Sequence, residues 1–288
     1  MIYLLLAILG SGVIPVIFRA FAGWRVNLFW AIPINYVTCV LIGGFLAGTG
    51  LDLQNLVGQP WIWLAGVQGF LLAVNFFLLA RTAQRAGVAI AALASRLSVA
   101  IPSVLAFILY GDSLTPVKIA GLTAALVALF LCTAPDRNSG KLSSKLFHLL
   151  PLLVFATFGC YFTILKYLQT YYLDGSNYHS YVMSGFLFAF LSSLAIGFGK
   201  GVIVTADFRA AHVVAGLGLG IVNYIAVYSL IRVLALKGWE SSQLYPIYSV
   251  GVVAVSTVLA FLCFRERLSR QKALGVGVGL AAVALLNR

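Results

Sequence analysis

Ten stretches of this chain, each about 20 residues long, run through apolar side chains almost without a break, long enough to cross a hydrocarbon core of about 30 Å as a helix. They cover approximately residues 2–20, 27–47, 60–81, 88–110, 115–133, 146–170, 178–198, 210–236, 240–263 and 268–287. Strands of a membrane barrel would alternate apolar and polar residues, whereas these runs are continuous, so the spans are helices. The composition agrees: 62% of residues are hydrophobic and 9% charged, where a soluble domain carries about 25% charged residues. The expected fold is an all-α integral membrane protein with ten transmembrane helices. The longest polar connections, Thr49–Gln59, Ala134–Lys145 and Lys200–Arg209, are too short to hold a soluble domain.

A net charge of +12 invites a nucleic-acid reading, since basic proteins neutralise phosphates. Here the lysines and arginines are scattered between apolar runs, with no basic stripe along one helix, so no nucleic-acid partner is expected. Such charges instead orient a chain against a bilayer. Arg19, Arg25, Arg81, Arg85, Arg137, Lys141, Lys145, Lys200, Arg209, Arg265, Arg267, Arg270 and Lys272 follow odd-numbered spans, and Lys118, Lys166, Arg232, Lys237 and Arg288 fall on the other side. The expectation is a multi-pass protein of the cell inner membrane with both termini on the non-cytoplasmic side. No Lys or Arg precedes the first apolar run, so it reads as a retained helix rather than a signal peptide. Cys39, Cys132, Cys160 and Cys263 all sit inside apolar runs, and His148, His179 and His212 near span ends. None has the spacing of a metal site, and no cofactor is expected.

The chain also repeats itself. VLAFILYGDSLTPVKIAGLTAALVAL from Val104 aligns without a gap to VLAFLCFRERLSRQKALGVGVGLAAV from Val258. Val104, Leu105, Ala106, Phe107, Leu114, Lys118, Gly121, Leu126 and Ala128 recur identically 154 residues later, Asp112 matches Glu266, and Thr115 matches Ser269. Each copy closes a half of five spans, residues 1–140 and 141–288. Because five is odd, the halves insert in opposite orientations, an arrangement found in secondary transporters with a site near the midplane.

The doubled pattern of an acidic residue, Leu, Ser/Thr, Lys and Gly after an apolar helix resembles the drug/metabolite transporter superfamily, in particular its ten-helix EamA-like branch. The residues are Asp112, Leu114, Thr115, Lys118 and Gly121 in one half and Glu266, Leu268, Ser269, Lys272 and Gly275 in the other. The resemblance implies a 5+5 bundle with a central cavity and alternating access, and leaves the substrate open. Multidrug relatives couple protons through a first-helix carboxylate, but the first span here has no Asp or Glu, so that mechanism does not carry over.

An ionisable residue inside a span costs at least ~2.5–3.5 kcal/mol at its centre and is a functional candidate by default. Arg96 lies about nine residues into the fourth span, among Ala92, Ser95, Val99 and Ser103. Its guanidinium suits a substrate carboxylate, bound bidentately, or alternatively pairs with backbone carbonyls. Glu240, opening the ninth span in GWESSQLYPIYS, is a candidate for proton coupling or for binding an ammonium group; the helix macrodipole offers a plainer reason for an acid there. Trp239 beside it is a candidate gate. Asn75 and Gln68 share a face of the third span, and Asn223, Gly216 and Gly220 share one of the eighth, with the two asparagines at similar places in their halves. Together with Tyr36, Gln243, Tyr245 and Tyr248 they complete a candidate substrate lining, though such residues also serve as interhelical glue. The GLGLG and GVGVG runs lie inside apolar helices and point to close packing rather than to nucleotide loops.

The function expected is secondary transport, by alternating access, of a small organic metabolite such as an amino acid or another carboxylate-bearing solute, in the export direction. Uptake of a neutral solute such as a sugar or nucleobase is the alternative within transport, and an intramembrane enzyme the alternative outside it. No paired carboxylates, Ser/His set or histidine cluster shares a span, so no catalytic residues are expected. The expected partners are a small-molecule substrate and the lipid bilayer, with the chain a monomer or homodimer. In a cysteine-free background, Ser139→Cys should resist a membrane-impermeant thiol reagent applied to intact spheroplasts and react once the membrane is opened.

Overall fold

A computed structural model describes residues 2–47, 58–98, 100–102, 104–105, 115–133, 145–173, 177–199, 208–234, 241–265 and 269–286. Within them the chain forms ten helices: α1 Ile2–Gly23, α2 Leu28–Ala47, α3 Ile62–Arg85, α4 Val88–Leu97, α5 Pro116–Thr133, α6 Lys145–Tyr171, α7 Tyr178–Gly199, α8 Ala210–Leu234, α9 Ser241–Phe264 and α10 Arg270–Leu286. The protein is all-helical, with one helix for each apolar run. Six helices are long and apolar enough to cross a membrane: Ile2–Gly23, Leu28–Leu46, Ile62–Arg85, Leu149–Leu168, Ser180–Gly199 and Ala210–Leu230. The apolar stretches of the other four are shorter, at 10–17 residues.

Helix ends differ from the hydropathy boundaries for local reasons. α3 continues past Arg81 to Arg85, because a charged side chain ends hydrophobicity without ending the hydrogen-bond ladder. It stops at Gly87, whose φ of 107° suits a residue without Cβ. There the N–H groups of Ala86 and Gly87 both donate to Thr82 O, at 2.7 and 3.2 Å, closing the helix end. α4 therefore starts at once. It turns at Ser98, residues 100–102 and 104–105 beyond the turn are helical again, and residues 106–114, which include the expected end at 110, lie outside the described ones.

The chain divides into two compact units, one of Met1–Ala20, Leu78–Gly159 and Ile225–Arg288, the other of Phe21–Phe77 and Cys160–Tyr224. In the first unit α5 packs along α10, and α4 packs on α9, α10 and α5. Gln271 Nε2 donates to Leu131 O at 3.2 Å, tying α10 to α5. The middle of α1 is built for close approach. A Cβ on Gly12 would sit 2.9 Å from Val255 Cβ and one on Gly10 2.9 Å from Ala226 Cβ, and Gly12 O accepts Ser256 Oγ at 2.9 Å.

In the second unit α2 packs along α7, while the glycine face of α8 meets α2 almost backbone to backbone. A Cβ on Gly216 would lie 2.6 Å from Ile34 Cβ, and one on Gly220 2.8 Å from Asn35 O. Gly218, on the opposite side, has nothing within 4 Å. The outer side of α8 carries Val214, Leu217, Ile221 and Ile225, all exposed at helical spacing, an apolar stripe that lipid would cover. Trp24 and Trp63 are exposed near helix ends, as interfacial tryptophans should be, but Trp61 is buried. Its ring stands edge-on to Tyr181 at 5.8 Å within a cluster containing Ala65 and Leu168. Size and neighbours on α6 and α7 draw it inward.

Gly220→Leu should therefore destabilise the detergent-solubilised protein by about 1–3 kcal/mol through overpacking. Gly218→Leu, two residues away, should be neutral or slightly stabilising; thermal unfolding of the two variants side by side checks this.

Candidate functional site

α4 is rich in alanine, and its buried residues include Ala89, Ala91, Ala92, Ala94 and Ser95. Arg96 interrupts it. The serines beside it spend their hydroxyls on their own helix: Ser95 Oγ donates to Ala92 O at 2.8 Å, and Ser98 Oγ donates to Ser95 O at 2.6 Å. Among the described residues Arg96 Nε is buried without a hydrogen-bond partner. The guanidinium carbon lies 4.9 Å from the ring centroid of Tyr248 on α9, a cation–π stack that lowers the charge's energy without answering its N–H groups.

Tyr248 is itself fixed. It is 5% exposed and packs with Leu4, Ala7, Val233 and Val252, and its hydroxyl is 2.6 Å from Ser11 Oγ on α1. Arg96 and Tyr248, both expected in the lining, are thus brought together, and Ser11 joins them. Ser11 carried no sequence signal, because a serine between two glycines in an apolar helix reads as packing.

The second unit holds the other candidates. Tyr36 is fully buried on α2. Its hydroxyl donates to Leu72 O on α3 at 2.9 Å, and its ring lies 5.3 Å from Phe76 and 6.3 Å from Phe186. Asn223 Nδ2 on α8 donates to Asn35 Oδ1 at 3.2 Å and approaches Cys39 Sγ at 3.7 Å, so it works as a tie between α8 and α2. Gln68 Nε2 donates to Tyr161 O at 3.4 Å, and its Oε1 accepts the Tyr181 hydroxyl. Asn75 is fully buried, and neither of its amide atoms has a hydrogen-bond partner among the described residues.

Gln243 and Tyr245 fall in the first turns of α9, but their side chains lie outside the described residues. Glu240 and Trp239 lie outside them altogether, as do the other six acidic residues. His212 is buried near the start of α8, where its Nδ1 accepts the Asn27 N–H at 3.4 Å.

No family profile matches the chain. An uncharacterized protein of Haemophilus influenzae is 25% identical over 291 residues, covering 98% of this chain and 96% of that one. A protein of known crystal structure superposes with a TM-score of 0.60 at 18% identity, over 99% of this chain and 94% of its own. That likeness concerns the fold alone.

Removing the Ser11–Tyr248 contact should cost about 0.5–1.5 kcal/mol of stability. In a double-mutant cycle, Ser11→Ala should have little further effect once Tyr248→Phe is in place, because the two changes delete the same hydrogen bond.

Proposed function

We propose that the protein is a secondary active transporter of a small, carboxylate-bearing organic metabolite, an amino acid or organic acid, exported across the cell inner membrane by alternating access. The observation that carries this reading is Arg96: a partly buried cation on a helix of alanines, stacked on Tyr248, with its Nε unpaired among the described residues. Packing alone would be better served by leucine, since a charge in a span costs at least ~2.5–3.5 kcal/mol at its centre. A solute carboxylate repays that cost with two parallel charge-assisted hydrogen bonds. The aromatic face beneath the guanidinium holds its plane while leaving its edge to the solute.

Two inverted five-helix halves supply the alternation. Supporting this, α2 packs on α7, α4 on α9 and α5 on α10. In each pair the partners stand five helices apart, as equivalent elements do around a two-fold axis. The ungapped repeat from Val104 and Val258 and the resemblance to the EamA-like branch of the drug/metabolite transporters point the same way. Two discrete arrangements of such halves around one solute site are what alternating access requires.

Counterflow in proteoliposomes, with a panel of amino acids, organic acids, sugars and nucleobases, tests the reading. Wild-type protein should exchange a carboxylate-bearing solute. Arg96→Ala should raise its KM roughly 10- to 100-fold, the loss of a charged hydrogen-bonding group. Arg96→Lys should recover part of that loss, because an ammonium cannot make the bidentate fork. Exchange confined to neutral solutes, or an unchanged KM in Arg96→Ala, refutes the carboxylate reading; no exchange by folded protein refutes transport.

A further inference from the structure

Four amide side chains lie buried in the second unit: Asn35, Gln68, Asn75 and Asn223. Three of them have a partner in the fold for at least one end, although Asn35 Nδ2 is also unpaired among the described residues. Gln68 bonds Tyr181 and Tyr161 O, and Asn223 bonds Asn35 and approaches Cys39. Asn75 is different. It is 0% exposed, yet both its donor and its acceptor lack a partner among the described residues.

Its neighbourhood on α3 is already committed. One turn earlier, Leu72 O takes the Tyr36 hydroxyl, and the adjacent Phe76 packs its ring on Tyr36. An amide that served only to hold helices together would bond through at least one end, as Asn35 does through its Oδ1. Leucine would fill a similar volume with nothing left unpaired. An amide kept at this position serves a partner that the resting fold does not supply.

We infer that Asn75 is a solute-recognition residue, reading a group that presents a hydrogen-bond donor and acceptor side by side: a carboxamide or a nucleobase edge. This deepens the transport reading above and rests on it. The asparagine amide carries an acceptor and a two-proton donor on one planar edge, so it forms two hydrogen bonds with a matching edge, as asparagine does with adenine. A carboxylate offers only acceptors and an ammonium only donors, and each would leave half of Asn75 unanswered. Because Asn75 is covered in this conformation, the solute meets it in another conformation of the transport cycle.

The test joins stability to counterflow. Asn75→Leu should melt at the same or a higher temperature than wild type in detergent, while Asn223→Leu should melt lower, because it strips Asn35 of its partner. In proteoliposomes, Asn75→Leu should lose roughly tenfold or more of the exchange of at least one of L-glutamine, L-asparagine, nicotinamide, adenine and uracil. It should keep any exchange of L-malate, which has no amide edge. Activity on the amino-acid amides or nicotinamide identifies a carboxamide, and activity on adenine or uracil alone identifies a nucleobase. That second result would retire the carboxylate role of Arg96 and leave the role of Asn75 standing. A lower melting temperature for Asn75→Leu, unchanged exchange of every amide-bearing probe, or wild-type protein that exchanges none of the five overturns the inference.

Discussion

The structure depends on one constraint: in a chain this apolar, a polar group taken out of water must be answered by another part of the same chain. Several of the polar side chains described obey it locally. Buried Thr38 and Thr82 and half-buried Thr157 donate back to the carbonyl four residues earlier, and Ser95, Ser98, Ser184 and Ser193 to the carbonyl three residues earlier. Such bonds spend the hydroxyl without linking helices. The links come from a smaller set, including Tyr36 to Leu72, Asn223 to Asn35, Ser256 to Gly12 and Ser11 to Tyr248. Close approach at glycines makes several of them reachable: Gly12 offers its carbonyl because it has no side chain in the way.

Against that background the unanswered groups carry information. Arg96 Nε and both amide atoms of Asn75 could have been avoided by an apolar substitution, and each is expensive where it stands. An unpaired indole N–H, as at Trp30 and Trp61, is less telling, because the ring alone justifies the residue, and Asn35, whose Nδ2 is also unpaired, is held through its Oδ1. On the transport reading proposed above, the value of Arg96 and Asn75 lies in the unpaired groups themselves.

Much of this is legible in the sequence. Hydropathy located most of the helices to within a few residues, because apolarity and helical structure share the same requirement in lipid. The face of Gly216, Gly220 and Asn223 was legible from spacing alone, and the structure packs it against α2. Partners were not legible. Asn75 and Asn223 look alike in sequence, at similar places in their halves, yet one is unpaired and the other bonded, because Asn35 and Cys39 reach only one of them. Ser11 was invisible for the same reason: its significance comes from Tyr248, 237 residues away. Trp61 shows the same limit from the other side: it sits near a helix end, where tryptophans collect at membrane interfaces, yet tertiary contacts bury it.

The repeat sharpens the point about Arg96. Carried back from Val104, the offset of 154 residues pairs Arg96 with Val250 and Ala94 with Tyr248. The guanidinium therefore comes from one copy and its aromatic platform from the other, across the contact of α4 with α9, and neither residue is matched in its counterpart. On the transport reading proposed above, such a scaffold would need like helices in like places to have two equivalent arrangements. A solute with a distinct carboxylate end would need the opposite, because two arginines related by symmetry would bind it equally well in either direction. Divergence at these two positions, inside helices that still pack on their counterparts, would satisfy both demands at once.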